Sequence, residues 1–259
     1  MIINSMKYSQ ECEDLLSRWL NPDAEEPNLL IVQPQNEGVG CAELVRELAV
    51  AHHKKSGCRR SFHNCFLSLK FSKDLNEQEL RRFFDSPRII AELYNRFVGT
   101  FCIEVSDYLE MLDSPTFSKL LDFISTNKNT IKFIFVINSN DQLLTSAMQN
   151  TLKKAIRVEQ LTLGYADVKV YVEYAIELLK KSGVAAAKGI EHTLMEHLDT
   201  LMEKPHFSGF DTVVRLVEDI VYEMRADDIP QLTKENLFRI RDVFLTGDSN
   251  IETSKRVGF

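Results

Sequence analysis

The chain has 259 residues, of which 44% are hydrophobic and 27% charged, and 31 basic against 38 acidic side chains give a net charge of −7. This composition is typical of a globular protein and excludes the disordered and fibrous classes. The acidic balance excludes a generic polyanion binder and disfavours nucleic acid as a partner.

Cysteine usage and hydropathy exclude further classes. The five cysteines are scattered, without a C-x-x-C pair or the Cys/His spacing of a zinc site, which predicts reduced thiols and no bound metal. No apolar run approaches the roughly 18 residues of a membrane span, and the N-terminus lacks the basic-then-apolar order of a signal peptide. The sequence therefore predicts a cytoplasmic protein with no membrane span.

The first predicted element is an amphipathic helix over 8–20, which Pro22 and Pro27 end. An apolar strand follows over 28–34, then a polar loop that contains glycine, then a helix over 41–55. Strand, glycine loop and helix form the first unit of the globular part.

Further strands are predicted at 62–71, 99–105 and 131–138, and helices near 76–97 and 114–126 alternate with them. Strands that alternate with helices are typical of a parallel sheet covered by helices on both faces. We therefore predict an α/β fold with such a sheet.

From residue 161 onward the pattern predicts helices only, so a small all-α lid subdomain follows the sheet. The stretch 157–164 joins the two, and its first half is either linker or a last short strand. Four helices are predicted, near 165–181, 190–203, 209–225 and 233–245. The predicted domains are an N-terminal helix and linker (1–27), the α/β core (28–160), the lid (161–245) and a flexible tail (246–259).

The loop after the first strand follows part of the phosphate-loop pattern G-x-x-x-x-G-K-[ST]. Gly40 matches the second glycine, Gln35 replaces the first, Cys41 stands at the lysine and Ala42 at the hydroxyl residue. In a working loop the helix N-terminus holds the phosphates, the lysine reaches the β and γ oxygens, and the hydroxyl holds Mg²⁺. Cys41 cannot reach the β and γ oxygens as a lysine does, and Ala42 has no hydroxyl to hold Mg²⁺.

The run GVGCAELVR resembles the G-x-G-K-T-x-L-A-R loop of the AAA+ ATPases, a P-loop NTPase family, with its chemistry removed. The third strand, FCIEVSDYL at 101–109, is similar to the Walker B segment of that family. Glu104 then stands at the metal-bridging Asp, and Val105 stands at the water-polarising Glu. Asn138, at the end of the fourth strand, matches the sensor-1 position.

In the helical part, HFSGFDTVVR at 206–215 is similar to a sensor-2 helix, most like the SpoVK/CbbX-type branch of the family. That register puts Thr212 at the sensor-2 arginine and Arg215 at the second arginine. Basic residues within 153–157 lie near the arginine-finger position, and none of them is assigned. The resemblance covers residues 28–245.

The resemblance implies a nucleotide site that has lost its function. Since the lysine, the magnesium hydroxyl and the water-orienting carboxylate are all absent, we assign no catalytic residue and no metal, and expect no cofactor. The vestigial site residues are Gly38, Gly40, Cys41, Ala42, Glu104, Asn138 and Arg215.

The function that this resemblance implies is that of a catalytically inactive AAA+-like module, a pseudo-ATPase acting as a scaffold or regulatory subunit in an assembly. Its partners would be proteins, either active AAA+ subunits or further copies of itself. Two alternatives stay open. One is a weak or atypical ATPase that binds ATP or ADP with Mg²⁺, and the other is a clamp-loader-like subunit associated with DNA.

Several site residues also have simpler readings. The two loop glycines can serve a tight turn without any ligand. Cys41 is either a reactive thiol at a helix start or an inert, part-buried one. Glu104 is either a metal contact or a carboxylate paired with a base, and Asn138 can satisfy backbone groups. His52 and His53 are predicted to face solvent.

Overall fold

The computed structural model divides into two compact units, the first ending at Tyr165 and the second beginning at Ala166. The predicted helix over 76–97, apart from residue 78, lies outside the residues that the structure describes, as do residues 238–245 of the predicted helix near 233–245 and the predicted tail over 246–259. The described residues are 10–21, 23, 25–57, 61–62, 65–71, 78, 99–105, 112–139, 141–226 and 231–237.

The first unit is a five-stranded parallel sheet in the order β2-β3-β4-β1-β5, which confirms the predicted fold class. The stretch 157–164, whose first half was predicted to be either linker or a last short strand, contains strand β5. The elements in chain order are α1 (Gln10–Leu20), β1 (Asn28–Gln33), α2 (Cys41–Lys55), β2 (Phe66–Phe71), β3 (Gly99–Val105), α3 (Pro115–Asn127), β4 (Ile131–Asn138), α4 (Gln142–Leu152) and β5 (Val158–Thr162).

The burial of each strand follows its place in the sheet. The central strands β1 and β4 are buried along almost their whole length, as expected for parallel strands covered on both faces. The edge strand β2 alternates between buried and exposed residues. One core packs against α3 and α4 through Phe117 and Met148, and the other packs against α1 and α2 through Trp19 and Leu44.

Side-chain caps mark where α3 and α4 begin. Ser114 accepts a hydrogen bond from the Phe117 N–H at 3.1 Å at the start of α3, with Pro115 next to it. Asp141 caps α4 in the same way. Both are residue types that satisfy the free N–H groups of a first helical turn.

The second unit is helical around a cluster of four aromatic rings, from Tyr171, Tyr174, Phe207 and Phe210. It also contains one pair of two-residue parallel strands, which the prediction of helices alone missed. Two residues are too short to show an alternating pattern in the sequence. The elements are α5 (Val168–Lys181), β6 (Ala185–Ala186), α6 (Ile190–Met202), α7 (Gly209–Ala226) and β7 (Gln231–Leu232).

Two findings concern the described part of the chain as a whole. None of its helices is both long and apolar enough to cross a bilayer. Among the described side chains, Cys41, Cys65 and Cys102 are buried and form no disulfide bond.

Candidate functional site

The turn between β1 and α2 is built on left-handed backbone. The φ angles are 56° at Glu37, 69° at Gly38 and 79° at Gly40. Glycine adopts this conformation without penalty, whereas a residue with a side chain is strained in it. The backbone therefore requires the two glycines whether or not a ligand binds, while Glu37 is strained.

Asn138 is held by two partners within the chain. Its amide nitrogen donates to the Glu37 carboxylate at 2.6 Å, and its carbonyl oxygen accepts from the Gln33 amide at 2.8 Å. Gln33 and Asn138 are the last residues of β1 and β4 and lie side by side in register. The side chain at the sensor-1 position thus links the sheet to a carboxylate of the loop.

Sequence reasoning missed Glu37 and Gln33. The signal for Glu37 was present, because an acidic residue directly before the first matching glycine is out of place in a phosphate loop. Gln33 offered no such signal, since its role depends on strand pairing.

Cys41 is the first residue of α2 and is only 6% exposed. Burial raises the pKa of its thiol, and the nearby Cys102, Glu104 and Glu37 raise that pKa further. The thiol is therefore protonated and neutral at physiological pH. This favours the inert thiol over the reactive one.

The other predicted residues of this region lie at the same end of the sheet. Ala42 is exposed on the first turn of α2, and Val105 is buried in the core at the end of β3. Glu104 is exposed and has Lys70 of β2 beside it in register. Among the described residues no base lies within the 4.0 Å of an ion pair with Glu104, so its predicted pairing is not seen.

We call this end of the sheet, where the strands finish and α2 begins, the carboxyl edge. Three carboxylates there, Glu37, Glu43 and Glu104, act electrostatically on Cys41. None of the three has an ion-pair partner among the residues that the structure describes. The carboxyl edge is therefore acidic at the place where a phosphate loop supplies a cation.

Arg215 and Thr212 belong to the second unit. Arg215 is exposed on α7. Thr212 is buried, and its hydroxyl accepts a hydrogen bond from the Ser208 N–H at 2.8 Å. The residue at the sensor-2 position thus has a local structural role at the start of α7.

The prediction that His52 and His53 face solvent is wrong for His52, which is 8% exposed. Its Nδ1 lies 3.3 Å from the Glu26 carboxylate, and Lys55 contacts the same oxygen at 3.1 Å. Trp19 of α1 packs edge-on against the imidazole and covers it, which the sequence of α2 alone could not show.

The pKa values in this cluster follow from burial and hydrogen bonding. Burial lowers the pKa of His52, and so do the nearby Lys132 and Lys55, while Glu26 opposes them without reversing the direction. For Glu26 burial acts to raise the pKa, but hydrogen bonds from its own backbone, Lys55 and His52 together lower it. Glu26 is therefore an ionised, buried carboxylate that joins α2 to the start of β1.

Comparison with known proteins identifies the fold. No protein-family model matches the sequence, and no curated protein matches it. Domain III of the Thermotoga maritima replication initiation protein DnaA is similar in structure, with 11% identity and a TM-score of 0.59, over 93% of this chain and 95% of that one.

Two further structures are similar at the same level. One is the Aeropyrum pernix ORC1 protein in complex with DNA, with 11% identity and a TM-score of 0.59, over 93% of this chain and 66% of that one. The other is the Thermotoga maritima RuvB Holliday junction branch migration motor, with 12% identity and a TM-score of 0.63, over 91% and 70%. These neighbours are AAA+ P-loop ATPases, and the chain has their fold.

Proposed function

We propose that the chain is a catalytically inactive AAA+-like module that acts as a scaffold or regulatory subunit in a protein assembly. The observation that carries this proposal is the pairing of Glu37 with Asn138 beside a loop whose lysine position holds Cys41. Where a working loop presents a cation to phosphate, this chain has a neutral thiol and a carboxylate.

The loss of hydrolysis follows from how phosphoryl transfer is catalysed. The reaction depends almost entirely on positioning and on neutralising charge. Ala42 has no hydroxyl for Mg²⁺, and Val105 is buried and cannot orient a water. We therefore expect no ATP turnover above the rate in buffer.

The electrostatics also oppose binding of a nucleotide in the loop. A phosphate about 4 Å from an unpaired carboxylate is repelled by about 4 kcal/mol near a protein surface, which is about a thousandfold in affinity. The dipole of α2 favours a phosphate at the helix N-terminus by about 1 kcal/mol. With Glu37 in the loop, repulsion is the larger effect.

The test is titration of the full chain with a fluorescent ATP analogue and its ADP counterpart, with and without Mg²⁺. We expect no saturable binding that is sensitive to Gly40→Arg, a substitution that blocks the loop. A triple variant, Glu37→Gly with Cys41→Lys and Ala42→Thr, should gain binding, because it removes the repulsion and supplies the cation and the hydroxyl.

Two results would support the alternative of a weak or atypical ATPase. One is micromolar binding by the unaltered chain that Gly40→Arg abolishes. The other is steady ATP turnover that Glu104→Ala abolishes, which would require a metal or water role for that carboxylate.

The assembly itself is tested by mass photometry and by cross-linking of the purified chain. We propose protein partners, either copies of this chain or active AAA+ subunits, and a place near the SpoVK/CbbX-type branch of the family. A defined oligomer would support self-association, whereas a monomer that joins an active AAA+ ring would support the second kind of partner.

Association with DNA is a second candidate, because a structural neighbour was solved in complex with DNA. The net charge of −7 makes it the weaker one. Retention on duplex DNA at about 150 mM salt, lost steeply as salt rises, would favour DNA association over the protein assembly.

A further inference from the structure

A cleft of about 570 Å³ lies at the other end of the same sheet, where β1, β4 and β5 begin. We call that end the amino edge. The cleft has a basic lining, although the chain as a whole is acidic, and we call it the basic cleft. Its cations are Arg18, Lys128, Lys132, Lys153 and Arg157.

Hydrogen bonds hold the backbone next to two of these cations, Lys132 and Arg157. Asn28 accepts a hydrogen bond from the Phe133 N–H at 2.9 Å and donates to the Arg157 carbonyl at 3.1 Å, so one side chain ties together the starts of three strands. Lys132 donates from its Nζ to the Glu26 carbonyl at 2.7 Å. Since β1 lies between β4 and β5, the backbones at Lys132 and Arg157 are separated by two strand spacings, or about 10 Å.

Four of the five cations have no carboxylate within ion-pair distance in the described part of the chain, and the exception is Arg18, paired with Glu159 at 2.7 Å. A further acidic residue of the lining, Glu26, is already bound by Lys55. The exposed Glu25 is the remaining acidic one. The basic cleft therefore carries a net positive charge.

Helix ends explain only part of this pattern. Lys128 and Lys153 follow α3 and α4, where a cation offsets the negative end of the helix dipole. Lys132 and Arg157 lie at the starts of strands, where no such dipole acts. The helix dipole therefore does not account for Lys132 and Arg157 in the lining of the cleft.

We propose that the basic cleft binds a small ligand that carries two or more phosphate groups. Its volume is that of a small-molecule site. Two linked phosphates bring about three charges into a compact volume, whereas each carboxylate of an acidic peptide brings one. Ammonium and guanidinium groups bind phosphate oxygens through charge-assisted hydrogen bonds. The proposal does not depend on whether the carboxyl edge binds a nucleotide.

The test is isothermal titration calorimetry of the full chain with sodium tripolyphosphate, pyrophosphate and orthophosphate at equal ionic strength near 150 mM. We expect one saturable site for the first two and at least tenfold weaker binding of orthophosphate. The double variant Lys132→Gln with Arg157→Gln should weaken tripolyphosphate binding at least tenfold. Its matched control, Lys169→Gln with Lys180→Gln on α5, removes the same charge from exposed positions and should leave binding unchanged.

Because Lys132 also donates a hydrogen bond to a backbone carbonyl, its substitution can weaken binding by disturbing the fold. A second pair of substitutions controls for this. Lys128→Gln with Lys153→Gln changes only exposed positions and should weaken binding at least threefold, with an unchanged circular dichroism melt. Absence of saturable binding, or equal losses in the control, would overturn the proposal. Equal affinity for orthophosphate would overturn the requirement for two phosphates.

Two further measurements extend the test. One assigns any ATP binding to the basic cleft or to the loop, and the other distinguishes a small ligand from a nucleic acid. If ATP binds, loss through Lys132→Gln with Arg157→Gln assigns it to the basic cleft, and loss through Gly40→Arg assigns it to the loop. If a 20-base-pair duplex binds the cleft at least tenfold more tightly than tripolyphosphate, the cleft is a nucleic-acid surface and the small-ligand proposal is wrong.

Discussion

The carboxyl and amino edges of the sheet have opposite charge. At the carboxyl edge, Glu37, Glu43 and Glu104 act electrostatically on the neutral thiol of Cys41, and no described base pairs with them. At the amino edge, Lys132 and Arg157 line a cleft, and neither has a carboxylate within ion-pair distance among the described residues. The same sheet therefore presents carboxylates at the edge where the loop pattern of the sequence predicts phosphate binding, and cations at the opposite edge.

The fold alone therefore does not locate a ligand. Parallel α/β sheets generally bind ligands at the carboxyl ends of their strands, because loops and helix N-termini converge there. That backbone geometry is present in this chain, but Cys41 and Ala42 stand where a phosphate loop has its lysine and its hydroxyl residue. Function has to be argued from the side chains at each edge.

The substitution Glu26→Gln tests whether the buried cluster of Glu26, His52 and Lys55 stabilises the amino edge, and we expect it to have the largest effect on stability. Glu26→Gln should lower the free energy of unfolding by about 2 kcal/mol, because charge-assisted hydrogen bonds to Lys55 and His52 are lost. Removing one partner of a fully buried pair costs about 3–5 kcal/mol. Here Lys55 is 17% exposed and regains water, which reduces the loss. Urea denaturation measures the difference.

Glu25→Gln is the matched control, because Glu25 is the exposed neighbour of Glu26. It should change the free energy of unfolding by less than about 0.5 kcal/mol. Equal effects of the two substitutions would show that the buried cluster does not stabilise this edge.

The second prediction separates the two edges by pH. The folded pKa values of His52 and Glu26 are lowered, so their contribution is complete above the unfolded values of 6.5 and 4.5 and is lost as pH falls. The pKa values of Cys41 and Cys102 are raised, that of Cys102 to about 12, so their contribution is complete below 9.0 and is lost as pH rises. Each group adds a slope of at most about 1.4 kcal/mol per pH unit.

Urea midpoints between pH 5 and pH 10 test this division. His52→Gln should flatten the acid side below about pH 6.5 and leave the alkaline side unchanged. Cys102→Ala should reduce the slope of the alkaline side above about pH 9, where Cys41 still contributes, and leave the acid side unchanged. If either variant alters both sides equally, the two edges are not separate titrating regions.

The third prediction concerns strain at the carboxyl edge. Glu37 has a left-handed φ of 56°, which costs a residue with a side chain about 1 kcal/mol. Glu37→Gly removes that strain and Glu37→Ala keeps it, while both lose the hydrogen bond to Asn138. The glycine variant should therefore be more stable than the alanine variant by about 1 kcal/mol in urea denaturation. Equal stabilities would mean that the turn relaxes to another conformation.

The fold was predictable because strong local signals agree with one another. Buried apolar strands such as β1 and β4 alternate with helices, and this order specifies a parallel sheet. The pair β6 and β7 was not predictable, because its pairing comes from tertiary contact. The burial of His52 was missed for the same reason, since Trp19 and Glu26 cover it from outside its helix.

The candidate site was predictable in position more than in chemistry. The motif comparison identified the loop and the strand ends, and the structure places Cys41 and Glu104 close enough to interact electrostatically. The motif comparison could not identify the hydrogen bonds that link Gln33 through Asn138 to Glu37, because they depend on strand register and on one strained turn. Nor could it identify the basic cleft, whose cations come from distant segments of the chain.

The smallest expected effect lies at the rim of the basic cleft. Arg18 of α1 and Glu159 of β5 form an ion pair at 2.7 Å, but the two side chains are 49% and 33% exposed. Exposed pairs contribute little, because water and salt screen the attraction and ordering two long side chains costs entropy. Arg18→Gln should lower the free energy of unfolding by less than about 0.5 kcal/mol, and by less still at 0.5 M salt. A loss as large as that from Glu26→Gln would mean that the amino edge is held at its rim and not by its buried cluster, which would reverse the order of effects expected for this edge.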